Sequence, residues 1–269
     1  APTWQKPGNY KKGVKRTKRR RMYSKKGKNS IVKIIDERIQ KKAEPKHAQF
    51  SQLSTVVNDN PAAGNIYQVV PNISEVFADN GRNGNAINPT SLRLKLCLWH
   101  LPPASINTDN HTFYAIRVMI VQPKQFRGLA QIQSNSETWL STLLRDGGTT
   151  VGFNQASMKS ILLPINSDAI TTYYDKVYYE HFPRVNASTT IPTSYVYAIE
   201  ESRLATKTLN INMKVKNKIF HYDALVNSGL TPDNYNPVLI IGVCNVNGYT
   251  QTTSNMTLNF SSTLTYRDY

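Results

Sequence analysis

The chain has 269 residues, a formal net charge of +16 and a hydrophobic fraction of 39%. That apolar share supports a packed core, while the longest purely apolar runs, such as residues 238–241, are far too short to cross a membrane, so no membrane insertion is expected. The charge is uneven: residues 1–46 hold 17 Lys/Arg against 3 Asp/Glu (+14), and residues 47–269 hold 16 against 14 (+2), which excludes a globule that is basic throughout.

Residues 1–28 carry twelve Lys/Arg and no acid. Blocks of like charge repel, stay extended and commonly serve as nucleic-acid-binding arms. The predicted contacts are Lys11, Lys12, Lys15, Arg16, Lys18, Arg19, Arg20, Arg21, Lys25, Lys26 and Lys28. Each phosphate neutralised releases counterion, so binding should be salt-dependent and indifferent to base sequence. A tail broken by Gly8, Gly13 and Gly27 cannot hold base-reading side chains at fixed positions, so backbone contacts are expected. Trp4, Tyr10 and Tyr23 are interleaved with the cations; they read equally as base-stacking groups or as chance aromatics. The same run reads as a nuclear-localisation signal, which implies the host nuclear import machinery as a partner. The stretch lacks the continuous apolar segment of a secretory signal.

In residues 30–42, Ile31, Ile34, Ile35 and Ile39 fall at helical spacing with Lys33, Arg38, Lys41 and Lys42 opposite. The pattern predicts a short basic helix, with a strand as the competing reading because Ile is β-branched. The domains are therefore a basic arm over 1–46 and a β-rich body over 47–269. In the body, strands are predicted over 51–57, 65–70, 91–101, 112–122, 159–165, 170–181, 194–200, 207–222, 237–247 and 255–267. The spacing suggests an all-β sandwich or jelly roll and not βαβ units. One helix is predicted over 136–145, with Ser136 as cap and Trp139, Leu140, Leu143 and Leu144 on one face. The loops 79–89, 123–158 and 227–237 are candidates for the exterior or for contacts between subunits.

Two strands alternate regularly. Leu92, Leu94, Leu96 and Leu98 alternate with Ser91, Arg93, Lys95 and Cys97, and Leu209, Ile211, Met213, Val215 and Ile219 with Asn210, Asn212, Lys214, Lys216 and Lys218. Period two places the apolar set in a core and the cations on the opposite face. Lys214, Lys216 and Lys218 form either a solvated face or a second nucleic-acid-binding patch.

No catalytic constellation is present: no phosphate-cradling glycine loop, nucleophile elbow or His-Glu-x-x-His. His47, His100, His111, His181 and His221 are scattered without metal-ligand spacing. Asp175, Glu180 and His181 form the tightest acid and histidine cluster and read as charges at a strand edge. Asp79, Asp109, Asp146 and Asp168 lie in loops without EF-hand spacing. No enzyme activity, cofactor or metal is expected. Cys97 and Cys244 lie in apolar runs and are expected to be reduced, buried thiols.

Four segments carry a family resemblance. They are the arm and basic segment ending at Glu44-Pro45-Lys46, and Arg82-Asn-Gly84-Asn-Ala-Ile87-Asn-Pro89 before Ser91-Leu-Arg-Leu-Lys-Leu. The others are Tyr173-Tyr174-Asp175-Lys176-Val177-Tyr178, and Leu239-Ile-Ile-Gly followed later by Leu264-Thr-Tyr-Arg-Asp268. Together the chain resembles capsid proteins of circular, Rep-encoding single-stranded DNA viruses, of the satellite tobacco necrosis virus-like kind, with a more distant likeness to geminivirus coat proteins. The resemblance implies a single eight-stranded antiparallel jelly roll, self-assembly into an icosahedral shell of about 60 copies, and a single-stranded DNA genome inside. It also implies residence in the virion and, during assembly, the host nucleus. A coat protein of a small or satellite RNA virus would share the fold and the arm. A cellular jelly-roll binding module with a basic tail is the reading from another class; it should show a sugar or metal constellation, and none is seen.

Overall fold

A computed structural model describes residues 45–57, 66–76, 80–100, 113–145, 161–181, 206–216, 218–223, 229–246 and 256–268. The cationic tail, the predicted 30–42 helix and the predicted 194–200 strand lie outside the described residues. The elements in chain order are β1 (Pro45–Val56), β2 (Ile66–Gln68), β3 (Ala86–His100), β4 (Phe113–Pro123), α1 (Leu129–Ser134), α2 (Ser136–Leu140), β5 (Ile170–His181), β6 (Thr206–Met213), β7 (Phe220–His221), β8 (Val238–Asn245) and β9 (Met256–Asp268).

The pairing follows from folding the chain back on itself between β4 and β5. That hairpin pairs β4 with β5, β3 with β6, β2 with β8 and β1 with β9, all antiparallel. Rolling the resulting ribbon adds the pairs β3–β9 and β4–β8. The product is two sheets, ordered β1-β9-β3-β6 and β2-β8-β4-β5, the arrangement of an antiparallel jelly roll. A ninth strand joins the expected eight: β7 is two residues long and pairs with the start of β3.

The main core lies between the sheets. Leu92, Leu94, Leu96 and Leu98 of β3, Leu209, Ile211 and Met213 of β6, and Leu258, Phe260 and Leu264 of β9 meet Ile116, Val118 and Ile120 of β4 and Leu239 and Ile241 of β8. The opposite face of the five-stranded sheet is open, so its strands alternate apolar and polar. The four-stranded sheet is covered on both faces. Its outer residues Met119, Val121, Val238 and Ile240 pack under Leu129 and Ile132 of α1 and Trp139 and Leu140 of α2. Double burial explains why β4 and β8 read as unbroken apolar runs.

Arg117 sits within that covered face, 3% exposed. Its guanidinium grips Asp175 of β5 with two hydrogen bonds, Nε to Oδ1 at 2.8 Å and Nη2 to Oδ2 at 2.7 Å, and donates to the Leu163 carbonyl at 2.7 Å. The pair fastens residues 161–163 onto the sheet. Where the edge strands of the two sheets face each other, Lys207 of β6 pairs with Glu180 of β5 and lies over the Tyr178 ring at 5.1 Å. Two of the three clustered residues Asp175, Glu180 and His181 are thus cross-strand fasteners.

Several expectations are corrected. Among the described residues of the predicted 159–165 strand, 161–162 are helical and Ile165 makes a single bridge to Leu144, and Pro164 has no N–H to extend a ladder. The predicted 136–145 helix ends at Leu140, although Leu143 and Leu144 are buried as foreseen; Asn135 and not Ser136 occupies the cap position. The predicted 207–222 strand breaks after Met213 into a turn in which the Lys218 N–H donates to the Val215 carbonyl at 3.1 Å. The break leaves Ile219 46% exposed. Neither cysteine is in a disulfide; Cys244 is buried and Cys97 half-buried.

The loop around Arg82 is fastened inward by that side chain, while Asn80, Asn83 and Asn85 remain exposed. Arg82 is 2% exposed. It pairs with Glu75 at 3.3 Å, lies over the Tyr222 ring at 4.8 Å, and donates to the Gly84 carbonyl and, at 3.1 Å, to that of Gly229. Gly229 has a φ of 67°, a conformation that favours glycine. Lys46 bridges Asp268 at 3.1 Å and the Gly81 carbonyl at 3.0 Å, and the Tyr266 hydroxyl donates to that same carbonyl at 2.8 Å. Lys46, counted with the basic arm from sequence, is therefore a cation of β1 engaged in the fold.

Buried tyrosines make the fold sensitive to alkali. Burial pushes Tyr67 and Tyr266 up to about 12 and also raises Tyr222 and Tyr235. Unfolded tyrosine titrates near 10, so between about pH 10 and 12 the folded state holds more protons than the unfolded one. Stability is complete below that window and falls as pH rises through it. Urea midpoints should drop across the window, and a flat profile would contradict the burial. Tyr235 also stacks on Phe220 (4.8 Å) while its hydroxyl is buried without a partner. Tyr235→Phe should therefore keep neutral-pH stability and make the alkaline drop shallower.

Candidate nucleic-acid interface

The open face of the five-stranded sheet is built row by row from strand register, since directly paired residues share a face. One row runs Asn212, Arg93, Thr263, Gln49 across β6, β3, β9 and β1. The next runs Asn210, Lys95, Ser261, Ser51. Beyond them come Thr208, Cys97 and Asn259, then Thr206, Trp99, Thr257 and Val56. On the other side of the Arg93 row lie Ser91, Thr265 and His47, whose Nδ1 is 3.1 Å from the Thr265 hydroxyl. Among the described residues these rows contain two cations and no carboxylate.

Lys214 and Lys216 extend this cationic end. Both are exposed just beyond β6, where the alternation of buried and exposed residues continues through Val215. With Thr90, Ser91, Arg93 and Asn212 they line an open cleft of about 400 Å³. Arg93, Lys95, Lys214 and Lys216 have no carboxylate partner among the described residues. Pro45, the first residue of β1, pairs with Arg267 at this same end of the sheet.

Lys218 departs from its predicted neighbours. The turn after Val215 carries it to the rings of Tyr235 and Tyr173, with Nζ 4.2 Å and 5.1 Å from their centroids. Burial lowers its pKa, and the aromatic faces supply the attraction that a carboxylate would otherwise give. It links the β6–β7 connection to β5 and is not part of the exposed cationic face. The eleven predicted arm contacts, Lys11 to Lys28, lie outside the described residues.

Arg93 and Lys95 belong to the face but were noticed in sequence only as alternating partners of the leucines. Trp99 shares their parity along β3 and is 38% exposed; extending the alternation by two more residues would have found it. Histidine, cysteine, aspartate and glutamate do not gather into a metal-binding group among the described residues, and no described helix is long and apolar enough to cross a membrane. Compared with known families, the chain matches no family model, and no curated protein matches it.

Proposed function

We propose that this protein is a structural capsid subunit that assembles into an icosahedral shell and packages single-stranded DNA through its cationic arm. The observation that carries the reading is the pairing of a jelly roll with a segment of twelve cations and no acid in 28 residues. The body's open sheet face adds the exposed cations Arg93, Lys95, Lys214 and Lys216. A shell subunit needs a rigid body with faces of different character and a countercharge for its contents; body and arm supply one each. Particles would form from about 60 copies, and the basic run would serve nuclear import before assembly. The choice of DNA over RNA rests on the four-segment resemblance.

Electron microscopy of the purified protein, with nuclease digestion of the contents, tests the reading. Spherical particles whose contents yield to deoxyribonuclease are expected. A persistent monomer without particles overturns the capsid assignment, and contents sensitive only to ribonuclease overturn the DNA assignment. Deleting residues 1–28 should leave the body folded and strip most nucleic acid from particles, read as the absorbance ratio at 260 and 280 nm. Equal content in truncated and full-length particles would remove the arm from its role.

A further inference from the structure

We propose that a single strand lies lengthwise along β3 on the open sheet face, with phosphates at Arg93 and Lys95 and a base stacked on Trp99. The inference rests on the packaging reading and adds to it a second binding element, separate from the arm and selective for unpaired strands.

Residues two apart on a strand point the same way and are spaced by about 6.8 Å. Arg93, Lys95 and Trp99 therefore form one line along β3, with the half-buried Cys97 between the last two. Arg93 and Lys95 are exposed, and they face away from Leu92, Leu94, Leu96 and Leu98, which are all buried. An extended single strand presents phosphates and bases at comparable intervals, and base stacking on an aromatic ring tolerates any sequence. A duplex keeps its bases paired and stacked, so it can use the two cations but not the indole.

The flanking rows suit nucleic acid. Asn212 and Asn210 stand beside Arg93 and Lys95 on β6, and Thr263 and Ser261 on β9; all are neutral hydrogen-bonding groups. No described carboxylate on this face competes for the cations. The same features disfavour a second copy of this face as the occupant, since two such faces would oppose like charges. Trp99 does have exposed apolar company on β1, with Val56 in its own row beyond the buried Thr257 and Leu53 at the register irregularity before it, so contact with another subunit is the competing outcome.

The test uses unassembled full-length protein carrying Trp4→Phe, so that emission comes from Trp99 and the buried Trp139. It is titrated with oligothymidylate and, separately, with a blunt DNA duplex of matched length. The expected result is saturable quenching by the single strand and little by the duplex. Trp99→Ala in the same background should abolish that quenching and weaken oligothymidylate binding about 5- to 150-fold, and Trp99→Phe should restore most of the affinity. Arg93→Ala with Lys95→Ala should lower the slope of log affinity against log salt by roughly 1.4. Tight binding without quenching, or equal quenching by strand and duplex, overturns the β3 track and leaves the packaging reading standing. Loss of particles in Trp99→Ala with oligothymidylate affinity unchanged also overturns it and assigns Trp99 to a subunit contact. Failure of the starting protein to bind either nucleic acid overturns the packaging reading itself.

Discussion

Leu94→Asp should yield no soluble folded protein, whereas Arg93→Asp, one position earlier, should fold and melt nearly as the parent does. Leu94 is 1% exposed between the sheets. Removing its side chain costs about 2–5 kcal/mol. A lone carboxylate in its place must be desolvated or protonated, which costs several kcal/mol more. The sum approaches the roughly 5–15 kcal/mol that holds a whole domain together. Arg93 faces solvent between Asn212 and Thr263, so the same aspartate stays hydrated there. Soluble yield and urea melting of the two variants read the register directly. Parent-like melting of Leu94→Asp would place β3 one residue out of register.

Arg117→Ala should destabilise the body by about 1.5–3 kcal/mol, the range for losing hydrogen bonds to a charged group, because Asp175 keeps contact with solvent and is not left as a buried charge. The loss has three parts. Asp175 loses both of its guanidinium hydrogen bonds, the Leu163 carbonyl loses its donor, and a space opens beneath residues 161–163. Replacing Arg117 by Met and Asp175 by Leu together should recover a large part of the loss, since apolar groups of similar volume leave no orphaned charge. Chemical denaturation of both variants checks this. A single variant within about 0.5 kcal/mol of the parent would mean that the clamp is incidental.

The alternation in β3 was readable because one side of that strand is solvated. Leu92 to Leu98 occupy every second position, and nothing else competes for the pattern. The runs in β4 and β8 were readable as strands but not as surfaces covered on both sides, because unbroken apolar sequence does not say what lies on either face. α1 escaped notice because its six residues, Leu-Ala-Gln-Ile-Gln-Ser, are too few to show a helical period. The 159–165 segment was misjudged because the apolar residues of a short helical turn that packs against a sheet resemble a short strand. Ile161, buried against Ala115 and Cys244, is the residue that misled.

The site was legible unevenly. Lys214 and Lys216 were placed on an exposed face by alternation, and they are exposed. Lys218 was placed there by the same rule and is not, because alternation lapses at a turn and the rings of Tyr173 and Tyr235 come from elsewhere in the chain. Arg117 and Asp175 could not be paired from sequence, being 58 residues apart with nothing local to link them. Arg82 was quoted as a motif residue, but its burial depends on Glu75, Tyr222 and Gly229, which only the fold brings together.

The pairing of β1 with β9 has a consequence for the order of events during synthesis. Lys46 and Asp268, bridged in the folded body, are 222 residues apart, and among the described residues β1 has no other strand neighbour. A chain emerging from the ribosome N-terminus first presents its cationic segment before β9 and cannot seat the strand that follows that segment until β9 is made. Contacts of such long range also form slowly. The nascent arm therefore meets the polyanions of the cell, ribosomal RNA first among them, well before its anchor exists. A permutation that placed β1 after β9 would close that interval, since the two paired strands would then be made together.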